Sequence, residues 1–275
     1  MIVAVAVAVA VDDSLPLRPT PLCRGGLCVC GLLSLPGRAG SCYPRSRLIP
    51  IRDINPRVRL PVVNYLLLLG IGAAFVYQLT LGTEVGRLVD AFGFVPVRAV
   101  GAWAQRDLAS LLTSGVAAMF LHGGWFHVIG NLLYLRVFGD NVEDRLGHLA
   151  FLLLYLLAGA AGWLAQGWAD PNSSVPVIGA SGAIAGVLGA YIVLFPSARI
   201  VTLFPVFIFL TFIEVPAIVF LGIWGLQQLL NGYLALETSA SGSGVAWFAH
   251  LGGFGVGLLG GLLGRLWRRR RRKKA

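Results

Sequence analysis

Long apolar segments restrict the fold of this chain more than any other feature of its sequence. The segment 62–81 contains no charged side chain, and a helix needs about 20 apolar residues to cross the hydrocarbon core of a bilayer. Apolar residues make up 57% of the 275 residues and charged residues only 12%, whereas about 25% of a soluble domain is charged. This composition argues against both a soluble globular domain and a disordered chain. It predicts a helical membrane protein.

The apolar segments predict an all-α membrane protein with six transmembrane helices. A further apolar segment, 200–213, is interrupted by Pro205 and is rich in β-branched and aromatic residues. We therefore predict an interfacial or extended segment there. The six predicted spans are 62–81, 125–139, 148–168, 180–195, 215–231 and 245–264.

The sequence divides into three regions. Residues 48–264 hold the predicted spans, and residues 265–275 form a strongly basic tail. Residues 1–47 begin with a Val/Ala alternation and lack the features of a signal peptide, and their apolar run is too short to span a membrane. We expect them to be a disordered extension or the result of a misassigned start. This region contains the four cysteines of the chain, at positions whose spacing does not suit a metal site: Cys23, Cys28, Cys30 and Cys42.

Positive charges predict the orientation of the chain in the membrane. Lys and Arg side chains cluster before the first predicted span and after the sixth, and such clusters stay on the cytoplasmic side. With an even number of spans, both termini are predicted to be cytoplasmic, in a multi-pass protein of a bacterial plasma membrane. Nucleic-acid binding is a weaker explanation for the tail, because Trp267 is its only aromatic residue. We therefore predict membrane lipid, and no nucleic acid, as a partner of the tail.

Four polar residues fall at one predicted depth in the membrane. His127 and Asn131 are four residues apart, so they share a helix face near the start of the second span. Ser181 lies near the start of the fourth span and His250 near the start of the sixth. These three spans run in the same direction, which places all four residues in the outer half of the bilayer. Hydrocarbon penalises polar groups, so polar residues inside spans are functional candidates.

Glycine spacing predicts how the serine and the histidine meet. Gly182 has further glycines four and seven residues later, and glycines also follow His250 on its own helix face. Small residues at this spacing let two helix backbones approach closely. Ser181 and His250 can then act as a nucleophile and its general base. No Asp or Glu lies at this depth, so we predict a Ser–His dyad without a carboxylate.

Acyl transfer at a serine also needs hydrogen-bond donors for the oxyanion. The backbone N–H of Ser181 is available at a helix amino terminus, and the side chains of His127 and Asn131 can supply further donors. We predict these as the oxyanion-stabilising groups. The candidate supporting residues are His122, Gly179 and Gly182.

Each of these motifs alone also has a structural explanation. Small residues at a helix crossing explain the sequence around Ser181, and a buried histidine can simply pack against a neighbouring helix. His127 and Asn131 can form a clasp between helices. His148 is predicted at the opposite end of the membrane and no HExxH motif occurs, so the sequence predicts neither a metal nor another cofactor. The common depth of the four residues favours a functional site.

Three segments together resemble the rhomboid family of intramembrane serine proteases. They are HGGWFHVIGNLLYLRVFGDNVEDRLG at 122–147, GASGAIAGVLGAY at 179–191 and AHLGGFGVGLLGG at 249–261, in this order on the second, fourth and sixth predicted spans. The resemblance implies a six-helix bundle that cleaves transmembrane protein substrates near the outer membrane face. It also implies the roles predicted above, with Ser181 as nucleophile and His250 as base.

Two positions depart from the pattern of this family. Gln105 and Arg106 stand where many members carry a Trp-Arg pair, and Ala185 replaces an aromatic residue one turn after the nucleophile. His250 must therefore be positioned by other packing. Two other functions compete with proteolysis, namely a non-catalytic rhomboid-like protein that binds membrane helices and a small-solute transporter. The first would be expected to lack the serine or the histidine, and the sequence shows no inverted repeat in favour of the second.

Overall fold

The computed structural model describes residues 49–206, 209–237 and 245–272. The prediction for residues 1–47 lies outside the described residues. The described elements are mostly helical: β1 (Ile49–Asp53), α1 (Val62–Thr80), a short 3-10 helix (Gly82–Glu84), α2 (Val85–Phe92), α3 (Pro96–Ala104), α4 (Leu108–Ala118), α5 (Trp125–Leu146), α6 (His148–Ala169), α7 (Ser181–Leu194), β2 (Arg199–Val206), β3 (Phe209–Pro216), α8 (Ala217–Glu237) and α9 (Trp247–Arg272).

Six of these helices coincide with the six predicted spans. Four of them, α1, α6, α8 and α9, are long and apolar enough to cross a membrane. Helix α7 has only 14 residues, and α5 carries several charged side chains in its last two turns. The chain is therefore a multi-pass membrane protein, and a count of six membrane crossings stays a prediction.

Helix α7 is the centre of the bundle. Nearly all of its residues are buried, on every face, as expected of a helix that is apolar all round. Helices α5, α6, α8 and α9 all pack against it. Any polar group on α7 is consequently held in a fixed position by its neighbours.

Glycines bring the backbones of α7 and α9 into direct contact. A Cβ atom added to Gly253 would overlap the carbonyl oxygen of Gly182, and one added to Gly257 would overlap the carbonyl oxygen of Gly186. Gly189 lies in the same way against the carbonyl oxygen of Phe254. The two helices therefore approach as closely as the glycine spacing predicts.

The region between α1 and α5, which links the first two predicted spans, contains three short α-helices and one 3-10 helix. Helix α4 begins after Asp107, whose carboxylate accepts a hydrogen bond from the Ser110 backbone N–H at 3.1 Å, as an N-cap does. An antiparallel bridge joins Phe94, between α2 and α3, to Val177. Two residues after Val177, the Gly179 N–H donates a hydrogen bond to the Ala118 carbonyl at 2.8 Å. The short helices thus support the segment that leads into α7.

The segment 200–213, predicted as interfacial or extended, forms most of an antiparallel hairpin. Strand β2 pairs with β3 and also with β1, giving a three-stranded sheet in the order β1-β2-β3. The described architecture is therefore mostly helical rather than all-α. The difference arises because β-branched and aromatic residues favour strands, and because Pro205 cannot continue a helix.

The sheet is joined to the end of α7 that lies away from Ser181. The Asp53 carboxylate in β1 accepts hydrogen bonds from the Tyr191 hydroxyl at 2.6 Å and from the Asn141 amide at 2.7 Å. Burial raises the pKa of the Asp53 carboxyl to about 6, although the bond from Tyr191 acts in the opposite direction. This junction anchors the far end of the central helix.

We predict that Gly257→Ala destabilises the bundle by about 1–3 kcal/mol, the usual effect of overpacking a tight interior contact. The added methyl group would push α9 away from the Gly186 carbonyl oxygen. The matched control is Gly255→Ala, because a Cβ atom at this position of the same helix meets nothing within 4 Å. The free energy of unfolding in detergent, measured for both variants, checks this. Equal stabilities of the two variants would contradict the prediction.

Candidate active site

Ser181 is the first residue of α7, at the point where an irregular segment enters the helix. Gly179, two residues earlier, has φ +115°, a conformation that L side chains rarely adopt. Ser181 is 9% exposed, and its position leaves the first N–H groups of the helix without partners within the helix. The positive end of the helix dipole therefore lies beside its hydroxyl group.

The structure brings Ser181 and His250 together. The Ser181 Oγ lies 2.9 Å from the His250 Nε2, and the histidine is only 2% exposed. A hydroxyl group within hydrogen-bond distance of an imidazole is the arrangement that general-base activation of a nucleophile requires. Gly182 makes this approach possible, because its Cα faces the Ala249 carbonyl and the Cα of Gly162 without an intervening side chain.

The start of α9 is held by an amide side chain from another helix. The Gln166 Oε1, on α6, accepts hydrogen bonds from the backbone N–H groups of Phe248 at 3.1 Å and Ala249 at 3.4 Å. These are orphan donors in the first turn of α9, so Gln166 acts as a cap supplied from outside the helix. His250 lies in the same turn and is positioned with it.

The Nδ1 edge of the His250 ring contacts α8. Its Nδ1 lies 2.8 Å from the Gln228 Oε1, and its ring lies 5.9 Å from that of Trp224 and 6.4 Å from that of Trp247. These groups supply the packing that Ala185 cannot. Gln228 is not among the residues predicted from the sequence. An amide in the apolar span predicted at 215–231 is a signal that could have found it, because hydrocarbon penalises unpaired polar groups.

His127 and Asn131 lie on α5 and face the segment that precedes Ser181. A Cβ atom on Gly179 would lie 2.5 Å from the His127 Nε2 and 3.7 Å from the Asn131 Nδ2. Both side chains are buried, and within the described residues the His127 Nε2 and both Asn131 amide atoms lack hydrogen-bond partners. Buried polar atoms of this kind call for an explanation, and a ligand beside Ser181 would give them partners.

The tautomer of His127 follows from its neighbour. The Gly123 backbone N–H donates to the His127 Nδ1 at 3.4 Å, so the neutral ring carries its proton on Nε2. The unpartnered Nε2 is therefore a donor. It faces, with the Asn131 amide, the backbone of Gly179, two residues before Ser181.

His122 supports this region without touching the serine. Its backbone N–H donates to the Gln78 Oε1 at 2.9 Å, and its carbonyl accepts from the Gln78 Nε2 at 3.0 Å. Its ring lies edge-on to that of His127, with 4.9 Å between the centroids. These contacts tie the residues just before α5 to Gln78 of α1.

Two further residues that the sequence analysis weighed lie away from the site. His148 pairs with Glu143 near the junction of α5 and α6, at the far end of the bundle. Arg106 is exposed, follows α3 and has φ +59°. Neither is brought near Ser181.

A narrow cleft with a cavity volume of about 20 Å³ opens beside Ser181. Most of its lining consists of glycine and alanine, so few side-chain atoms project into it. Its larger lining residues are Met119, Trp163, Val177 and Ile178. The residues that border the cleft are drawn from α4, α6, the start of α7 and the start of α9.

The chain matches the model of the rhomboid domain over residues 105–266. This match covers more than half of the chain, so the chain belongs to the rhomboid family. The resemblance noted in the sequence is thereby confirmed.

Individual relatives come from several kinds of organism. The chain is 32% identical over 167 residues to the mitochondrial rhomboid protein 1 of Saccharomyces cerevisiae. The aligned residues cover 57% of this chain and 43% of that protein. It is 37% identical over 131 residues to the rhomboid protease GluP of Bacillus subtilis, covering 47% of this chain and 24% of that protein. It is 39% identical over 72 residues to the chloroplastic rhomboid-like protein 11 of Arabidopsis thaliana, covering 26% of this chain and 25% of that protein. The aligned part is less than half the length of each of these relatives.

We predict that Gly179→Ala destabilises the protein by about 1–3 kcal/mol more than Gly82→Ala. Both glycines have positive φ angles, of 115° and 52°, so both variants strain the backbone. Only at Gly179 would the new Cβ atom also collide with the His127 ring, whereas at Gly82 it meets nothing within 4 Å. Unfolding in detergent measures the difference, and a Gly179→Ala variant no less stable than Gly82→Ala would refute the prediction.

Proposed function

We propose that this chain is an intramembrane serine endopeptidase that hydrolyses peptide bonds of transmembrane proteins with a Ser–His dyad. The observation that carries the proposal is the 2.9 Å separation between the Ser181 Oγ and the His250 Nε2. Two independent features support it. The chain belongs to a family known for intramembrane serine proteases, and unpartnered donors lie beside the serine.

The proposed reaction begins with proton transfer. The His250 Nε2 takes the proton from the Ser181 hydroxyl as the Oγ forms a bond to the carbonyl carbon of the substrate. The carbonyl oxygen becomes an oxyanion, which accepts hydrogen bonds from the Ser181 backbone N–H and from the side chains of His127 and Asn131. His250 then gives its proton to the leaving amine, and the C–N bond breaks.

Water completes the proposed cycle. His250 takes a proton from a water molecule, whose oxygen attacks the carbonyl carbon of the acyl-enzyme. The bond to the Ser181 Oγ breaks, and the proton returns to that oxygen. The product is a free carboxylate, and the enzyme is regenerated without any cofactor.

The substrates we propose are transmembrane proteins cut near the outer membrane face. A helical peptide bond is shielded by its own side chains, so the substrate must unwind locally before Ser181 can reach it. Two features favour small residues at the cut site. Glycine destabilises a helix and so makes local unwinding of the substrate easier. The cleft beside Ser181 is lined mostly by glycine and alanine. Lateral entry from the lipid is the proposed route.

The proposed orientation places both termini in the cytoplasm. It is supported by the basic residues that precede α1 and that end α9. The bacterial plasma membrane stays a prediction, because the relatives include proteins named mitochondrial and chloroplastic as well as a bacterial protease.

We predict that Ser181→Ala and His250→Ala each abolish cleavage of a tagged single-span substrate in reconstituted liposomes. Removing the base should lower turnover by about 10²–10⁴-fold, and removing the nucleophile should leave no turnover above background. Ser174→Ala, which changes an exposed serine, is the matched control and should cleave like the wild type. A folded wild-type protein that cleaves none of several substrates would overturn the protease proposal and favour a helix-binding function instead.

We predict that Asn131→Ala lowers kcat by about 10²–10³-fold and leaves the stability of the protein nearly unchanged. The amide has no hydrogen-bond partner within the described residues, so its removal breaks no bond that stabilises the fold. Turnover and thermal unfolding are measured on the same preparation, with the exposed Asn172→Ala as control. A loss of stability that accounts for the loss of activity would assign Asn131 a structural role.

A further inference from the structure

We propose that Gln228 is a positioning residue that fixes the tautomer and the ring orientation of His250. Its catalytic meaning rests on the proposed function, but the proposal about the imidazole itself can be tested without a substrate. The Gln228 side chain is 1% exposed and lies one helix away from the serine, on α8.

The Gln228 amide contacts a group whose role in hydrogen bonding is fixed. The backbone carbonyl of Trp224 can only accept a hydrogen bond. It lies 3.2 Å from the Gln228 Nε2, which can only donate. The amide is therefore oriented with its Nε2 toward Trp224 and its Oε1 toward His250. The reversed amide would place two acceptors, an amide oxygen and a carbonyl oxygen, against each other.

The orientation of the amide determines the protonation of the imidazole. The Gln228 Oε1 can only accept, and the His250 Nδ1 lies 2.8 Å from it, so Nδ1 carries the proton. In the neutral ring Nε2 is then bare. Nε2 lies 2.9 Å from the Ser181 Oγ, where a base that accepts the hydroxyl proton needs its lone pair. One backbone carbonyl thus sets the direction of three consecutive hydrogen bonds.

The same contacts fix the ring in space. The His250 Nδ1 is held by Gln228, and the Trp224 and Trp247 rings lie 5.9 Å and 6.4 Å from the imidazole ring. Trp224 and Gln228 are four residues apart on α8, so they share a helix face. This face of α8 therefore gives the His250 imidazole an aromatic neighbour, Trp224, and a hydrogen-bond acceptor, Gln228. The Trp224 ring takes the place of the aromatic residue that is absent at Ala185.

A purely structural reading of Gln228 makes a different prediction. In this alternative, the Gln228 amide only joins α8 to α9 through a hydrogen bond, because buried polar groups need partners. Removing such a clasp would lower stability, but the tautomer of His250 would not change. The two readings are therefore separated by a measurement on the ring nitrogens.

The experiment uses the full chain in detergent micelles with ¹⁵N-labelled histidine. The chain has four histidines, and loss of one set of signals in His250→Ala assigns those of His250. Protonated and bare ring nitrogens give well-separated ¹⁵N chemical shifts. For the wild type at neutral pH we expect a protonated Nδ1 and a bare Nε2.

Three variants provide the comparison. Gln228→Met keeps the length of the side chain but removes the strong acceptor, and it should shift the His250 population toward the Nε2-protonated tautomer. Gln228→Glu keeps an acceptor oxygen that faces Nδ1, so it should keep Nδ1 protonated as in the wild type. Gln227→Met changes the same residue type one position earlier, about 100° around the helix, and should leave the His250 signals as they are.

Wild-type-like His250 signals in a folded Gln228→Met protein would overturn the proposal. So would a wild-type protein in which Nε2 rather than Nδ1 is protonated. Neither result bears on whether the chain is a protease, because no substrate is present. If the chain cleaves no substrate, the tautomer measurement still decides the role of Gln228.

The kinetic consequence is measured on a substrate that the wild type cleaves. Misplacing a catalytic group by about 1 Å can lower the rate by about 10²-fold, so we expect Gln228→Met to lower kcat by about 10–100-fold. The KM should stay near that of the wild type, because Gln228 does not line the cleft beside Ser181. Gln228→Glu should recover most of the rate. A loss confined to KM would contradict the positioning role.

Discussion

The close contact between the backbones of α7 and α9 is the constraint on which the site depends. Ser181 and His250 can meet only because Gly182, Gly253 and Gly257 have no side chains to hold the two helices apart. In lipid, the hydrophobic effect does not drive helices together, so close van der Waals packing has to do so. The same contact that stabilises the bundle therefore also sets the distance between the serine and the histidine.

Three glutamines from three different helices then fix the parts of the site. Gln78 on α1 binds the backbone of His122, Gln166 on α6 caps the start of α9, and Gln228 on α8 holds the His250 ring. Each amide satisfies groups that would otherwise be unpaired in an apolar surrounding, where such groups are destabilising by several kcal/mol. The amides have no net charge, so they order the site without adding a charge to the interior.

The parts of this structure that the sequence predicted are those set by local pattern. The membrane helices follow from apolar length, and the approach of Ser181 to His250 follows from glycine spacing and a common depth. The three short helices before α5 and the pairing of β1 with the hairpin were not predicted, because they depend on contacts between distant segments. Gln228 was missed because one amide in an apolar span acquires a meaning only when its partner is known.

A neutral third residue suits a histidine at this depth. A buried carboxylate would stabilise the imidazolium that forms during the reaction, but placing an unpaired charge in an apolar interior is strongly unfavourable. An amide whose direction is set by the Trp224 carbonyl selects the same tautomer that a carboxylate would, and does so without a charge. The stabilisation of developing charge is then left to the donors near Ser181. In the proposed mechanism, orientation of the imidazole therefore falls to Gln228, and stabilisation of developing charge falls to His127 and Asn131.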